Sequence, residues 1–412
     1  MDREEVLMEM EVPRFVFVSY RGDKLPGFFC DYFILSIKHL SRRITSSYSK
    51  FKVLNYLHLN EILSLEPSRI KEEIHKLKKA LKGIPASQLD ECLLDRRECE
   101  FLLPFQPVEF VDFYACRNHV ENMGRMFRDP RNPLPPAWLY FPVAYEGRAS
   151  TIVTDGARIR RPEGVFKKRD GSVVVGPSSA LDFELELAFL PFAIYEKDLP
   201  LSPKKVSDYL FGIALLNDLT ARDIQRFEYV PLGPFYGKNF ATAISPVITF
   251  LDALQFCKID YCHRREVIPP HLISIPLYSL SIELEVYLKT PGSSSPDLIS
   301  RTNSKELYWT FEEMLYQFTY NGCRVRAGDV FGSGTISGKS PSEYGSIIEL
   351  TQNGENPLIL KSGVTRTFLE DGDTVIFRAT AFNSSLNKKY NLGWLSVTIE
   401  PPLNKHVLSF TP

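Results

Sequence analysis

The sequence predicts a β-rich α+β fold in two units, residues 1–103 and 104–412. Three observations predict it. The first unit mixes short strand-like runs with one amphipathic helix. From Leu103-Pro104 onward, many short β-like runs are punctuated by glycine and proline, with few long helical patterns. Within that second unit, Leu181, Phe183, Leu185 and Leu187 alternate with Asp182, Glu184, Glu186 and Ala188. A period of two is that of a strand with one apolar and one acidic face.

In chain order, Phe15–Val18 and Phe28–Ile37 read as strands separated by the turn-rich stretch Arg21–Gly27. The tripeptide Arg21-Gly22-Asp23 reads as a turn, not an adhesion motif. Ile70, Ile74, Leu77 and Leu81 recur at helical spacing, with Pro67 near the start and Gly83 and Pro85 beyond the end. The lysines of that helix and His75 are expected to face water. No constellation of chemistry falls in this unit, so it is expected to act as a scaffold.

In the second unit, Phe211–Leu216 reads as a buried strand leading into a helix from Asp218 onward. Asp218, Arg222, Gln225 and Tyr229 would then share one helix face, and a polar stripe entering the core is expected to line a cleft. Alternate strand residues point the same way, so Glu184 and Glu186 could share one cation; the competing reading is a solvated face. An internal control exists. Ile282–Leu288 repeats the Glu-Leu-Glu pattern but runs into Lys289 and the turn-like Pro291–Pro296, and it reads as one arm of an exposed hairpin.

With 412 residues, the chain is long enough for two or three domains and a sizeable core. Forty-nine basic against fifty acidic residues leave a net charge of -1, so no global field favours nucleic acid or an anionic membrane. No apolar run approaches the roughly 18 residues of a membrane span, and none behind Met1–Glu5 suits a signal peptide. Seven scattered cysteines, an odd number, are expected to be reduced thiols of a cytoplasmic protein. The glycines of Gly332–Gly338 have neither the dinucleotide-binding spacing nor a P-loop lysine.

Several stretches, taken together, carry a resemblance. They are Asp112–His119 with Asn122–Arg128; Tyr145–Ser150; Asp182–Glu186; Asn217–Gln225; Glu228–Pro234 with Gly237–Phe240; and Gly334–Gly338 followed by Glu349. In this order they resemble the fumarylacetoacetate hydrolase family, whose members include the carbon–carbon bond hydrolase of tyrosine and phenylalanine breakdown. The resemblance implies a small SH3-like N-terminal domain with a helical segment (1–103), followed by a catalytic β-roll domain (104–412). It further implies a cytoplasmic homodimer acting on a small diketo acid.

Carried over position by position, the resemblance implies a Ca²⁺ or Mg²⁺ site at Asp112, Glu184, Glu186 and Asp218, with Lys238 and Thr242 beside it. Carboxylates are the hard-oxygen set those ions take. His119, oriented by Glu349, would be the general base, and Arg222, Gln225 and Lys238 would stabilise the oxyanion. Tyr114, Arg128, Tyr145, Tyr229 and Thr335 would contact substrate. The implied reaction is hydrolysis of a 1,3-diketone, 4-fumarylacetoacetate giving fumarate and acetoacetate. The alternatives are a hydrolase of another acylpyruvate or 1,3-diketone, and an inactive paralogue retained as a binding or dimerisation partner.

The chain departs from the family pattern at three places. Glu146 stands where members carry His, Phe318–Tyr320 replaces a His pair ahead of Asn321, and the glycine-rich loop after Phe189 is reduced to Pro191–Asp198. In a working site, Glu146 is expected to lie away from the substrate carboxylates or to pair with Arg148 or Arg128.

Overall fold

A computed structural model describes residues 3–43, 58–404 and 406–410. Residues 44–57 of the expected N-terminal unit, and Met1 and Asp2 of the acidic N-terminus, lie outside the described residues.

The N-terminal strands follow the apolar runs with tighter turns than expected. Arg14–Tyr20 pairs with Asp23–Cys30 across Arg21-Gly22, so Lys24–Gly27 belongs to a strand and not to the turn. Left-handed backbone at Arg21, φ +50°, and at Gly22, φ +87°, compresses the reversal into two residues. A second reversal at Asp31-Tyr32 divides the expected strand 28–37 into Asp23–Cys30 and Phe33–Ser36. The helix Pro67–Gly83 forms as its periodicity predicts, with Ile70, Ile74, Leu77 and Leu81 buried and His75 exposed. Proline at its first position gives up only an N–H that a helix N-terminus leaves unbonded anyway.

Hydrogen bonding continues across residue 103. Arg14–Tyr20 pairs antiparallel with Ile248–Phe250, which pairs with Leu210–Asp218. The N-terminal strands thereby extend a 13-stranded sheet. One apolar cluster spans both parts, with Val6, Phe28 and Leu77 packed together with Ala188, Phe211, Ile244 and Val330. A separate five-stranded sheet holds Glu283–Lys289 between Asp297–Asn303 and Thr374–Asn383. The expected hairpin therefore exists, but its Glu-bearing arm is a central strand. Leu284, Val286 and Leu288 face the core, while Glu283 meets Lys389 at 2.8 Å and Glu285 meets Arg301 at 2.6 Å.

The alternating stretch at Leu181 is interrupted: Leu181–Asp182 pairs with Thr220–Ala221, and a new strand runs Leu185–Pro191. Both faces are buried, because this strand lies between Leu210–Asp218 and Val330–Gly332 inside the large sheet. Its acidic face is an interior wall, so the solvated-face reading fails.

Candidate active site

Six strands bring their functional residues together. Phe110–Phe113 runs parallel to Val330–Gly332, aligning Asp112 with Gly332, and antiparallel to Ala144–Glu146, aligning Asp112 with Tyr145. Leu185–Pro191 places Glu186 opposite Leu216 of Leu210–Asp218, which ends with Asp218 opposite Thr242. Asp218 is thus the last residue of a strand. The helix begins at Arg222, four residues later than expected. Asp218 therefore does not share a helix face with Arg222, Gln225 and Tyr229: register with Thr242, not helical periodicity, aims Asp218 at the site.

Asp112, Glu186 and Asp218 each offer an oxygen within 4.8 Å of the others, and all three are buried. Gly332 makes room for them, since a Cβ there would lie 2.8 Å from Glu186 Oε2 and 3.2 Å from Asp112 Oδ1. The Gly334 N–H donates to Glu186 Oε2 at 3.0 Å. Asp112 Oδ1 is buried with no hydrogen-bond partner among the described residues, an arrangement that costs free energy unless a cation or donor meets it. Burial, then the Asp218 charge, pushes the Asp112 carboxyl up to about 7. Burial and the neighbouring carboxylates Asp112, Asp218 and Glu184 push Glu186 well above the usual range. Buried oxygen donors of this kind fit a hard divalent ion.

Glu184 turns to the basic side of the site. Its Oε1 accepts from Arg222 Nη2 at 2.7 Å and its Oε2 from Lys238 Nζ. Burial alone would raise this carboxyl, but Arg222 and Lys238 hold it well below the usual range. Lys238 also donates to Asp218, and Thr242 Oγ1 donates to Asp218 Oδ1 at 2.9 Å. Arg222 Nε donates to Asp182 Oδ2 at 2.7 Å, and Asp182 Oδ1 accepts from the Ile347 N–H at 2.7 Å. Asp182 thus ties Arg222 to the first turn of the Ile347–Leu350 helix, which carries Glu349.

His119 lies in the first turn of Arg117–Phe127 and is buried. Its Nδ1 is 2.7 Å from Glu349 Oε2, and its Nε2 is 4.0 Å from Glu184 Oε1. Glu349 also accepts from Asn122 at 2.9 Å, Ser337 at 2.9 Å and Ser346 at 2.7 Å. Burial opposes its charge, yet His119 and these donors keep it ionised below the ordinary value. A carboxylate so fixed selects the imidazole tautomer with hydrogen on Nδ1, which leaves Nε2 as the acceptor.

A cavity of about 420 Å³ opens onto this constellation. Tyr114, His119, Arg128, Tyr145, Arg222, Gln225, Tyr229, Lys238 and Thr335 line it, as do Asp112, Glu184 and Glu186. Of the expected residues, Asp218, Thr242 and Glu349 stand behind this lining. Arg222 Nη1 donates to Gln225 Oε1 at 3.2 Å, which leaves the amide NH₂ of Gln225 as a donor. Burial pushes the Tyr114 hydroxyl up to about 12, so it remains a neutral donor. Glu146 is exposed and absent from the lining; with Tyr145 pointing in, the next strand residue points out. Arg128 donates instead to the carbonyls of Pro133 and Val120.

Sequence reasoning missed Asp182, Asn122, Ser337 and Ser346 as supports, Phe127 and Met123 as cavity wall, and above all Arg148. Asp182, Asn122, Ser337 and Arg148 lie inside the resembling motifs, but no local spacing reveals which of the motif residues reach the site.

Known proteins give matching results. The family model for the C-terminal domain of fumarylacetoacetate hydrolase matches residues 109–389. Fumarylacetoacetase of Arabidopsis thaliana is 39% identical over 352 residues, 84% of this chain and 83% of that protein. The Homo sapiens fumarylacetoacetase is 40% identical over 333 residues, 79% of each. Among solved structures, a fumarylacetoacetate hydrolase of Exiguobacterium antarcticum superposes with a TM-score of 0.52 at 17% identity, covering 94% of this chain and 99% of that one.

Proposed function

Because the chain belongs to the fumarylacetoacetate hydrolase family, we propose that it hydrolyses 4-fumarylacetoacetate to fumarate and acetoacetate, the closing reaction of tyrosine and phenylalanine breakdown. The observation that carries this reading is one cavity faced by the His119–Glu349 pair, the Arg222–Gln225–Lys238 donors and a buried carboxylate cluster.

Asp112, Glu186 and Asp218 would hold Ca²⁺ or Mg²⁺, with Glu184, Lys238 and Thr242 adjoining. A divalent ion there supplies Lewis acidity toward the diketone oxygens. The protein's own groups account for the remaining chemistry. His119 Nε2 removes a proton from water as its oxygen attacks the carbonyl carbon, and Glu349 stabilises the imidazolium that forms. Arg222, Gln225 and Lys238 donate to the tetrahedral alkoxide, a contribution of roughly 3 to 4 kcal/mol for a good donor. Collapse of the alkoxide breaks the carbon–carbon bond, and the departing carbanion takes the proton from His119. Tyr114, Arg128, Tyr145, Tyr229 and Thr335 would orient the substrate. Glu146, directed outward, leaves the anionic substrate unopposed.

The N-terminal strands described above are read as part of the family's SH3-like domain (1–103), here fused edge to edge with a β-roll catalytic domain (104–412). The working form is read as a cytoplasmic homodimer. The test is an assay of purified protein with fumarylacetoacetate, following the ultraviolet absorbance of the diketone with and without chelator. Absorbance loss that chelator abolishes is the expected result. Metal binding with no hydrolysis across a panel of diketones would overturn the assignment and leave an inactive paralogue.

A further inference from the structure

Arg148 has no role in the mechanism above, yet it is hydrogen-bonded to two carboxylates of the cluster. Its Nη1 donates to Asp218 Oδ1 at 2.6 Å and to Thr242 Oγ1. Its Nη2 donates to Asp218 Oδ2 at 2.7 Å, to Asp112 Oδ2 at 3.2 Å and to Tyr145 Oη at 2.8 Å. One guanidinium therefore spans four strands of the sheet. The side chain is 6% exposed and lies against the Phe110 ring, 4.7 Å from its centroid. Its backbone is left-handed, with φ +62° following Gly147 at φ +126°. Arginine adopts that region only where the surroundings over-determine it, and here the bend turns the side chain inward from the end of Ala144–Glu146.

The charges explain why an arginine is held there. Asp112, Asp182, Glu184, Glu186 and Asp218 are buried together with Arg148, Arg222 and Lys238. With every carboxyl ionised, as metal binding requires, five carboxylates against three cations leave an excess of two negative charges, the charge one divalent ion neutralises. Arg148 occupies Asp112 Oδ2 and both oxygens of Asp218, while Asp112 Oδ1 has no hydrogen-bond partner among the described residues. We propose that Arg148 is a positioning residue that sets the charge of the metal site, matching the cluster to a single divalent cation and aiming the free oxygen of Asp112 and the hydroxyl of Tyr145 into it. This rests on the reading that the cluster holds a metal ion.

The test measures cation preference, not turnover. Chelator-treated wild type and Arg148→Met are titrated with Ca²⁺ and with Tb³⁺, ions of similar size and different charge, using terbium luminescence and its displacement. Removing a buried positive charge favours the trivalent ion over the divalent one, so the Tb³⁺/Ca²⁺ affinity ratio should rise on the order of tenfold or more. Arg148→Lys, which keeps the charge, should leave the ratio near wild type. Arg148→Gln, which keeps hydrogen bonding and loses the charge, carries the same expectation as Arg148→Met if the latter fails to fold. A structural role alone would weaken both ions alike, and an unchanged ratio in the neutral variants would overturn the proposal while leaving the metal reading intact. A wild type that binds neither ion would remove both.

Discussion

The response of the chelated protein to pH tests the electrostatics of the site directly. Burial and Asp218 place the native Asp112 carboxyl at about 7, against an ordinary value of 3.8. Between those values the native state keeps a proton that the unfolded chain has released. Stability of the chelated protein must therefore fall as pH rises from about 4 to about 7, and Glu186, raised by the same burial and neighbouring charge, extends the fall. A shift of roughly three pH units corresponds to on the order of 4 kcal/mol, or on the order of 5 °C in Tm for a chain of this size. A divalent ion displaces protons from the cluster, so its gain in Tm should be small at pH 5.5 and larger at pH 8. The assay is thermal unfolding with excess chelator and with excess Ca²⁺ or Mg²⁺ across that range. Asp112→Asn should make the chelated profile shallower, with Glu186 and Asp182 supplying the slope that remains, and lose most of the metal gain. A gain equal at pH 5.5 and 8 would refute the reasoning, because it would mean that protons and metal do not compete for the cluster.

Three further outcomes are expected. His119→Ala should lower turnover by about 10² to 10⁴ and leave the metal-induced rise in Tm unchanged; Glu349→Gln should slow turnover less, and an undiminished rate in His119→Ala would remove the hydrolytic mechanism. Glu184→Gln should reduce the metal-induced gain, because Lys238 and Arg222 lose the carboxylate they share, whereas Glu283→Gln should not, its partner being the surface Lys389; equal behaviour in a chelator titration would count against separating the two Glu-Leu-Glu strands. Gly334→Ala should destabilise by about 2 to 4 kcal/mol in a denaturant melt, since a Cβ at φ +74° would stand 2.3 Å from the Phe113 carbonyl oxygen.

What was legible in the sequence is what local periodicity encodes. The two-residue alternation around Leu185 identifies a strand and puts Glu184 and Glu186 on one side of it; the 3.6-residue spacing of Ile70 to Leu81 identifies the long helix. Neither pattern carries the partner of an element. Residues 218, 222, 225 and 229 satisfy helical spacing, but pairing with Thr242, 24 residues away, extends the strand to Asp218, and the helix starts at Arg222. The same limit hid the junction of Arg14–Tyr20 with Ile248–Phe250, a contact across more than half the chain. Glu146 shows the reverse case. As an unexpected charge in a matched motif it demanded an explanation, and the explanation is only that a strand points adjacent side chains to opposite faces, sending Tyr145 into the cavity and Glu146 to solvent.

The site's residues come from strands far apart in sequence, and this couples its chemistry to its folding. Asp112, Tyr145, Glu186, Asp218 and Thr242 meet only when Phe110–Phe113, Ala144–Glu146, Leu185–Pro191, Leu210–Asp218 and Thr242–Ile244 have paired. Burying like charges at short range in a low-dielectric interior costs several kcal/mol for each unpaired ion. The pairing of these strands is thus opposed until cations are in place. Arg148, Arg222 and Lys238 are supplied by the chain itself, each through salt bridges to two of the carboxylates, and they leave a deficit that one divalent ion removes. The ion that would activate substrate is then also the last element of the sheet's electrostatic balance. Substitutions that tune its affinity should move stability in step with it, whereas a change at His119, whose partner Glu349 lies outside the cluster, should leave the metal-induced gain unchanged.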